Sequence, residues 1–239
     1  MIRRKIEEQL CSLAKMYPVV TITGPRQSGK TTLAREVFKD HKYVSLENFD
    51  LREAAISDPK GFLKSFSAPV IFDEIQRVPE LLSYIQTLVD EDKRVGQYIL
   101  TGSHQPLLGQ GVSQSLAGRT GILRLLPLSI EELISAGYDL ERDQYLYQGF
   151  MPRLYDTEID AKNLYRDYFA TYVEKDLPLA QRQGPSLLRD LRETSGGKSR
   201  TADQSFLVEQ RRRRFGADYL AMAVGLGGEF HHLPAAVLL

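Results

Sequence analysis

The feature that most constrains the fold of this chain is a glycine-bounded loop between an apolar run and a helix-compatible segment. Residues 24–31 read Gly-Pro-Arg-Gln-Ser-Gly-Lys-Thr, which is the spacing of a phosphate-binding P-loop. The β-branched run 19–23 before the loop predicts a strand, and residues 32–38 after it predict a helix. Backbone N–H groups and a helix N-terminus would then face one hollow, so the segment predicts a nucleotide site.

The residues of this loop have expected roles at a nucleotide. The Lys30 ammonium is expected to reach the β- and γ-phosphates, and the Thr31 hydroxyl is expected to hold Mg²⁺. The remaining candidate positions supply the backbone cradle: Gly24, Pro25, Arg26, Gln27, Ser28 and Gly29. The alternative reading is a glycine turn without a ligand, which the flanking strand and helix disfavour.

A second apolar run ends in two acids. Residues 69–72 precede Asp73 and Glu74, and a run of this kind predicts a central parallel strand covered on both faces. Open α/β sheets bind ligands at the carboxyl ends of their strands. Asp73 is therefore expected to contact Mg²⁺ directly or through its water, and Glu74 to deprotonate an attacking water. The alternative is a pair of solvated acids that begin a loop.

Two further features are candidates for catalytic roles. The predicted strand 97–103 ends in small polar residues, and either Thr101 or Ser103 is expected to sense the γ-phosphate, unless they only form a turn. Arg119, just before a predicted fifth strand, is expected to stabilise transition-state charge in its own or a neighbouring subunit. The alternative for Arg119 is a surface position or a pair with an acid at the sheet edge.

Composition limits the other classes of function. The 239 residues carry 31 basic and 31 acidic side chains, and this balance favours neither nucleic acid nor a membrane surface as a partner. With four His and one Cys, no metal-ligand spacing is visible, and Cys11 is expected to be a small buried hydrophobe. Without a long apolar stretch, the protein is expected to be soluble and cytoplasmic.

The order of elements predicts an α/β fold, a parallel sheet flanked by helices and followed by a small helical region. A helix is predicted over residues 2–16, a strand over 42–46 and a helix over 80–91. Residues 50–66 are predicted to be helical pieces broken at Asp58-Pro59, and 120–125 to be the fifth strand. The predicted domains are a core over 1–136, a helical lid or the start of a second domain over 137–177, and a tail over 178–239.

Several strings in order resemble one known family. They are GPRQSGKTTL at 24–33, FDEIQRVP at 72–79, LTGS at 100–103, LAGR at 116–119, LLPLSIEE at 125–132, QGFMPRL at 148–154 and YFATYVEKDL at 168–177. Over roughly residues 1–177 the chain resembles the prokaryotic AAA+-type P-loop ATPases that carry a C-terminal domain of unknown function.

The resemblance implies a sheet of order 5-1-4-3-2 and ATP hydrolysis, with ATP and Mg²⁺ as cofactors. It implies phosphate contacts by Lys30 and Thr32, Mg²⁺ contacts by Thr31 and Asp73, and the base role for Glu74. Two alternatives stay open beside it. One is a P-loop kinase, and the other is a non-hydrolysing ATP switch that binds DNA or a protein partner. Assembly of the chain into a homo-oligomer is also left open.

The tail differs from the rest of the chain. The resemblance stops near Leu177, Lys198 is the only lysine after Lys175, and four arginines follow one another at 211–214. A reading-frame change, a truncated gene and a divergent extension would each give this pattern. The arginine run is expected to be a solvated basic stretch, with contact to nucleic-acid phosphates as the alternative. Residues 178–239 are expected to pack poorly and to be disordered.

Overall fold

Five parallel strands form one sheet in a computed structural model that describes residues 2–103, 112, 115–168 and 170–171. The spatial order is β2-β3-β4-β1-β5, and each neighbouring pair is parallel. This confirms the predicted order 5-1-4-3-2, read from the opposite edge. The strands are β1 (Val19–Gly24), β2 (Lys42–Ser45), β3 (Val70–Asp73), β4 (Tyr98–Ser103) and β5 (Thr120–Arg124).

Helices cover both faces of this sheet. Strand side chains alternate between the faces, so Val70 and Phe72 pack on one side of β3 and Ile71 packs on the other. The face of Ile71 is covered by α1 (Glu7–Met16) and α2 (Lys30–Val37) through Leu10, Leu33 and Ala34. The opposite face is covered by α3 (Phe49–Ser57), α4 (Pro59–Ser65) and α5 (Leu81–Glu91). Burial on both faces explains the continuous apolar runs at 70–72 in β3 and 98–100 in β4.

The break predicted within residues 50–66 is confirmed. Helix α3 ends at Ser57, and α4 begins at Pro59. The Asp58 side chain accepts a hydrogen bond from the Gly61 N–H at 2.9 Å, which satisfies one of the free donors at the start of α4. Proline at the first helical position costs no hydrogen bond, because that N–H has no partner inside the helix.

The N-terminal segment departs from the prediction in two ways. The helix begins at Glu7 rather than at residue 2, and Cys11 is exposed rather than buried. The sheet-facing side of α1 is formed by Leu10, Leu13 and Ala14, with Ile6 just before the helix. Cys11 lies about 100° round the helix from Leu10. Cys11 therefore falls outside the apolar stripe. Residues 2–6 lie in a non-helical lead to α1.

The chain divides into two compact units, one of Met1–Asp139 and one that begins at Leu140. The first unit ends with α6 (Ile130–Ser135), whose capping box is formed by Ser129 and Glu132. The second contains α7 (Arg142–Gln148), α8 (Arg153–Asp156) and helical residues 161–168. The predicted tail, 178–239, lies outside the described residues. Every described helix is too short or too polar to cross a membrane.

Candidate nucleotide-binding site

The P-loop lies where the sequence predicts it, between the end of β1 at Gly24 and the start of α2 at Lys30. A Cβ on Gly24 would stand 2.0 Å from the carbonyl oxygen of Leu125, so only glycine fits there. Gly29 caps α2 in the left-handed region at φ 92°, a conformation that glycine adopts without strain. Pro25, Arg26, Gln27 and Ser28 form the loop between these glycines.

Lys30 lies across this loop. It is 5% exposed, and its ammonium donates to the carbonyl oxygens of Gly24 at 3.1 Å and Pro25 at 2.8 Å. These contacts hold the positive charge at the mouth of the loop, beside the N-terminus of α2. Both features favour an anion at this position. The next residues, Thr31 and Thr32, lie in the first turn of α2.

Asp73, the last residue of β3, connects the P-loop to the neighbouring strands. Its Oδ1 accepts hydrogen bonds from the hydroxyl groups of Thr31, at 2.7 Å, and of Thr101. Its Oδ2 accepts from the Tyr43 hydroxyl at 2.9 Å. Asp73 is 5% exposed; its bond to Thr101 is buried, and its bonds to Thr31 and Tyr43 are partly buried. The three donors come from α2, β4 and β2, which meet at the carboxyl edge of the sheet.

Tyr43 is a site residue that the sequence analysis did not identify. It lies on β2, which pairs with β3, and the Arg35 guanidinium stands 4.8 Å from the centre of its ring. Burial, together with the hydrogen bond to Asp73, raises the pKa of Tyr43 to about 12. The phenol therefore stays protonated at neutral pH and remains a donor. Only the register of β2 on β3, which local sequence does not specify, would have revealed it.

Glu74 follows β3 in the left-handed region, at φ 57°. Its backbone N–H donates to the Thr101 hydroxyl at 3.3 Å, and its carboxylate oxygen Oε2 accepts from the Gln76 side-chain amide. A residue other than glycine at positive φ is uncommon, and such strained residues cluster at active sites and ligand clamps. Gln76, a second residue that the sequence analysis missed, holds one oxygen of the expected base.

The structure separates the two sensor candidates. The Thr101 hydroxyl contacts both acids, through the Asp73 carboxylate and the Glu74 N–H. Ser103 lies at the end of β4, in register with Gly24 of the P-loop. Its hydroxyl is buried and has no hydrogen-bond partner among the described residues. Thr101 is thus bonded to the acids, whereas Ser103 is the candidate with an unused donor beside the loop.

Arg119 lies at the other edge of the sheet. Its carbonyl oxygen accepts from the N–H of Val19, the first residue of β1, so β1 itself separates it from the P-loop. A strand of this length spans about 16–20 Å. The guanidinium donates two hydrogen bonds to Asp90 of α5, at 2.6 and 2.9 Å, and these hold the pKa of Asp90 below its usual range. The structure therefore does not bring Arg119 to the P-loop of its own chain.

Within the part of the chain that the structure describes, candidate oxygen ligands for a metal ion meet beside the P-loop. No group of three or more His, Cys, Asp or Glu side chains in the described ranges is placed to hold a metal ion. Thr31 and Asp73 nevertheless bring a hydroxyl and a carboxylate oxygen within 2.7 Å of each other. Oxygen donors of this kind suit Mg²⁺, which is commonly bound by one or two protein groups together with substrate phosphates.

Comparisons with known proteins agree with this geometry. Residues 16–134 match a family model described as an AAA domain. Uncharacterized proteins of Mycobacterium tuberculosis and Mycobacterium bovis are each 32% identical to this chain over 177 residues. That alignment covers 73% of this chain but only 40% of each relative.

The fold also has a solved counterpart. A Walker-type ATPase of Pyrococcus abyssi superposes with a TM-score of 0.53 at 17% identity, and the match covers 89% of each chain. At this identity the likeness concerns the fold alone. The C-terminal domain of unknown function, and a break after residue 177, stay predictions. The family match, the sheet order and the P-loop together support an ATP-binding, AAA+-like module over residues 16–134.

Proposed function

We propose that this module binds Mg-ATP and hydrolyses it to ADP and phosphate. The observation that carries the proposal is the hydrogen bond from the Thr31 hydroxyl to Asp73, which joins the P-loop to the acid strand. This contact puts a phosphate-binding loop and a buried carboxylate at one point of the sheet edge. A loop that only bound an anion would need no such acid.

Each side chain then has a role that follows from its position. Lys30 and the backbone of residues 24–29 hold the phosphates, and Thr32 contacts them from the first turn of α2. Thr31 and Asp73 would hold Mg²⁺, since their oxygens already lie 2.7 Å apart. Bound Mg²⁺ would neutralise charge on the β- and γ-phosphates during transfer. Thr101 orients the Asp73 carboxylate and holds the backbone of Glu74, because its hydroxyl donates to Asp73 and accepts from the Glu74 N–H.

Glu74 is the proposed general base. Gln76 holds Oε2 of its carboxylate, so Oε1 is left to accept a proton from a water molecule. The water oxygen attacks the γ-phosphorus, its proton passes to Glu74, and the bond from phosphorus to the ADP oxygen breaks. A positioned base of this kind contributes about 10²–10⁴ in rate.

The test compares three variants for turnover and for ATP affinity. Glu74→Gln should retain ATP binding and lower the hydrolysis rate by about 10²–10⁴-fold, the contribution of one general base. Asp73→Asn should also weaken the Mg²⁺-dependent part of binding. Glu80→Gln, which changes an exposed acid at the start of α5, should leave both unchanged and serves as the control. Hydrolysis by Glu74→Gln at the parent rate would remove Glu74 from the base role.

Product analysis of the parent chain separates the rival functions. Release of inorganic phosphate supports hydrolysis. Phosphate appearing on an added acceptor would instead indicate a P-loop kinase. Tight ATP binding without turnover would indicate a nucleotide switch. A homo-oligomer, a DNA or protein partner and a cytoplasmic location stay predictions, which light scattering, binding assays and cell fractionation can check.

A further inference from the structure

A buried arginine outside the matched family segment contacts the back of the P-loop. Arg4 is 8% exposed, and its Nη1 donates to the carbonyl oxygen of Ser28 at 2.9 Å. Its Nη2 donates to the carbonyl oxygens of Leu126 at 2.7 Å and Pro127 at 3.1 Å. Its Nε donates to the Glu132 carboxylate at 3.2 Å. One side chain therefore joins the N-terminal segment, the P-loop and the segment that leads from β5 into α6.

Glu132 is built into the same network. It accepts from the backbone N–H groups of Lys5 and Ser129, each at 2.8 Å, as well as from Arg4. Burial alone would raise the pKa of Glu132, but these hydrogen bonds and the Arg4 charge hold it below its usual range. The carboxylate is thus ionised at neutral pH, and the arginine has a fixed counter-charge. Burying an ion pair carries a desolvation cost that can cancel the attraction between its charges, so a gain in stability does not by itself account for this pair. The position of the pair beside the P-loop indicates another role.

The geometry of the peptide bond supplies that explanation. The bond between Ser28 and Gly29 is trans, so the Gly29 N–H points in the direction opposite to the Ser28 carbonyl. Arg4 binds that carbonyl, so the Gly29 N–H points away from the Arg4 guanidinium. In a P-loop, backbone N–H groups of the loop face the phosphates. Glycine at position 29, with its positive φ, allows this peptide orientation. Arg4 thereby fixes the direction of one backbone donor, the Gly29 N–H.

We propose that Arg4 is a positioning residue for nucleotide phosphates, acting through the Ser28–Gly29 peptide. The inference rests on the proposed nucleotide site and adds to it a residue that lies far from the motif in sequence. Arg4 does not touch the phosphates; it fixes the direction of a donor that does. Losing a hydrogen bond to a charged group commonly costs about tenfold or more in affinity.

The chain offers a matched control in the adjacent residue. The Arg3 side chain is 82% exposed and makes only a surface pair with Glu7, at 3.4 Å, among its contacts in the described chain. The two arginines are equivalent in charge and in sequence neighbourhood, so only their positions in the structure distinguish them. Arg3→Lys should therefore change neither stability nor nucleotide affinity by a measurable amount.

The experiment measures the affinity of the full chain for ADP with Mg²⁺ by calorimetry, and the midpoint of thermal unfolding without nucleotide. Arg4→Lys keeps the positive charge beside Glu132, but one ammonium does not reproduce the planar fork that spans Ser28 and Glu132. It should lower ADP affinity by about tenfold. Glu132→Gln removes the ion pair but leaves the Arg4–Ser28 bond, so it should lower the midpoint and change affinity less than about twofold.

A double variant keeps the test decisive if Arg4→Lys folds poorly. Arg4→Met with Glu132→Leu removes both buried charges together, which avoids leaving one unpaired. It should fold and still lose affinity. The inference would be overturned if the Arg4 variants bound ADP as tightly as the parent. It would also be overturned if ADP affinity fell together with the unfolding midpoint in every variant, Glu132→Gln included. A parent chain that binds no ADP would instead overturn the proposed function, and the inference with it.

Discussion

Three hydroxyl groups hold the Asp73 carboxylate at the carboxyl edge of the sheet. Thr31 and Thr101 both donate to Oδ1, whereas Tyr43 is the described donor to Oδ2. The phenol therefore fixes the carboxylate plane from the side away from the P-loop. If Oδ1 turns to a cation with Thr31, Tyr43 still holds the other oxygen. This makes Tyr43 the side chain that orients Asp73 in both situations.

Tyr43→Phe tests this orienting role. The substitution keeps the ring beside Arg35 and removes only the hydroxyl that donates to Asp73. We expect the Mg²⁺ concentration for half-maximal ATP binding to rise about three- to tenfold, since one hydrogen bond to a charged group is lost. Titration of Mg²⁺ at fixed ATP measures the effect. Tyr84→Phe, a change on the surface of α5, is the control, and an equal response of both variants would contradict the role.

Lys30→Ala tests the phosphate contact directly. Its ammonium lies against the carbonyl oxygens of Gly24 and Pro25, so the substitution removes a positive charge from the mouth of the loop. We expect ATP affinity to fall by at least tenfold, because charge-assisted bonds to phosphate are among the strongest polar contacts. Calorimetry measures the change, with Lys39→Ala on an exposed side chain as the control. Equal ATP affinity of Lys30→Ala and the parent would refute the P-loop assignment.

At the scale of elements, β3 links the hydrophobic core to the site. Phe72 is fully buried between Phe62 and Tyr98, and Asp73 follows it directly. Phe72→Ala should destabilise the chain by about 3–5 kcal/mol through lost burial and the cavity left behind. Urea unfolding measures this, with the exposed Ile122 of edge strand β5 as the comparison. A loss as large for Ile122→Ala would show that β3 is not the better packed strand.

Elements whose signal is local could be predicted from sequence. The strand before Gly24, the acid-ending strand at 70–73 and the break at Asp58-Pro59 each depend on neighbouring residues, and all three are present. The sequence predicts helix from residue 2, whereas α1 begins at Glu7, because helical periodicity does not reveal at which residue a helix begins. Arg4 in that lead instead bonds Glu132, which is 128 positions away. No local pattern encodes such a pair.

The residues of the candidate site likewise divide into those that local sequence predicts and those that it does not. Lys30, Thr31, Asp73 and Glu74 are recognisable because their spacing within a motif carries the chemistry. Tyr43 and Gln76 belong to the site only through strand register and a left-handed turn, which the tertiary fold decides. Arg119 was placed among the catalytic candidates because it follows a small-residue loop. Its pair with Asp90 depends on where α5 packs, and this too is a tertiary property.

For the whole molecule, the position of Arg119 raises the question of a second copy. Its own P-loop lies at the opposite edge of the sheet, since β1 begins beside Arg119 and ends at Gly24. If Arg119 acts on phosphate at all, it must act on the nucleotide of a neighbouring subunit. The Asp90 pair would then have to open, or the guanidinium would have to reach past it. The two roles of Arg119, action on a neighbour's nucleotide and a surface ion pair with Asp90, thus predict different activities when variant proteins are mixed.

Two variants separate these roles. If Arg119 acts across subunits, Arg119→Ala should slow turnover by about 10³-fold or more with little change in ATP affinity, as the loss of an arginine finger does. Asp90→Asn should leave turnover intact, because it breaks the same ion pair and keeps the arginine. If the pair is only structural, both variants should have the same small effect on stability and none on turnover.

Mixing two variants tests action across subunits directly. Adding an excess of Glu74→Gln protein to Arg119→Ala protein should restore part of the activity, because each supplies what the other lacks. Parent turnover independent of protein concentration, with a monomer by light scattering, would rule out action across subunits.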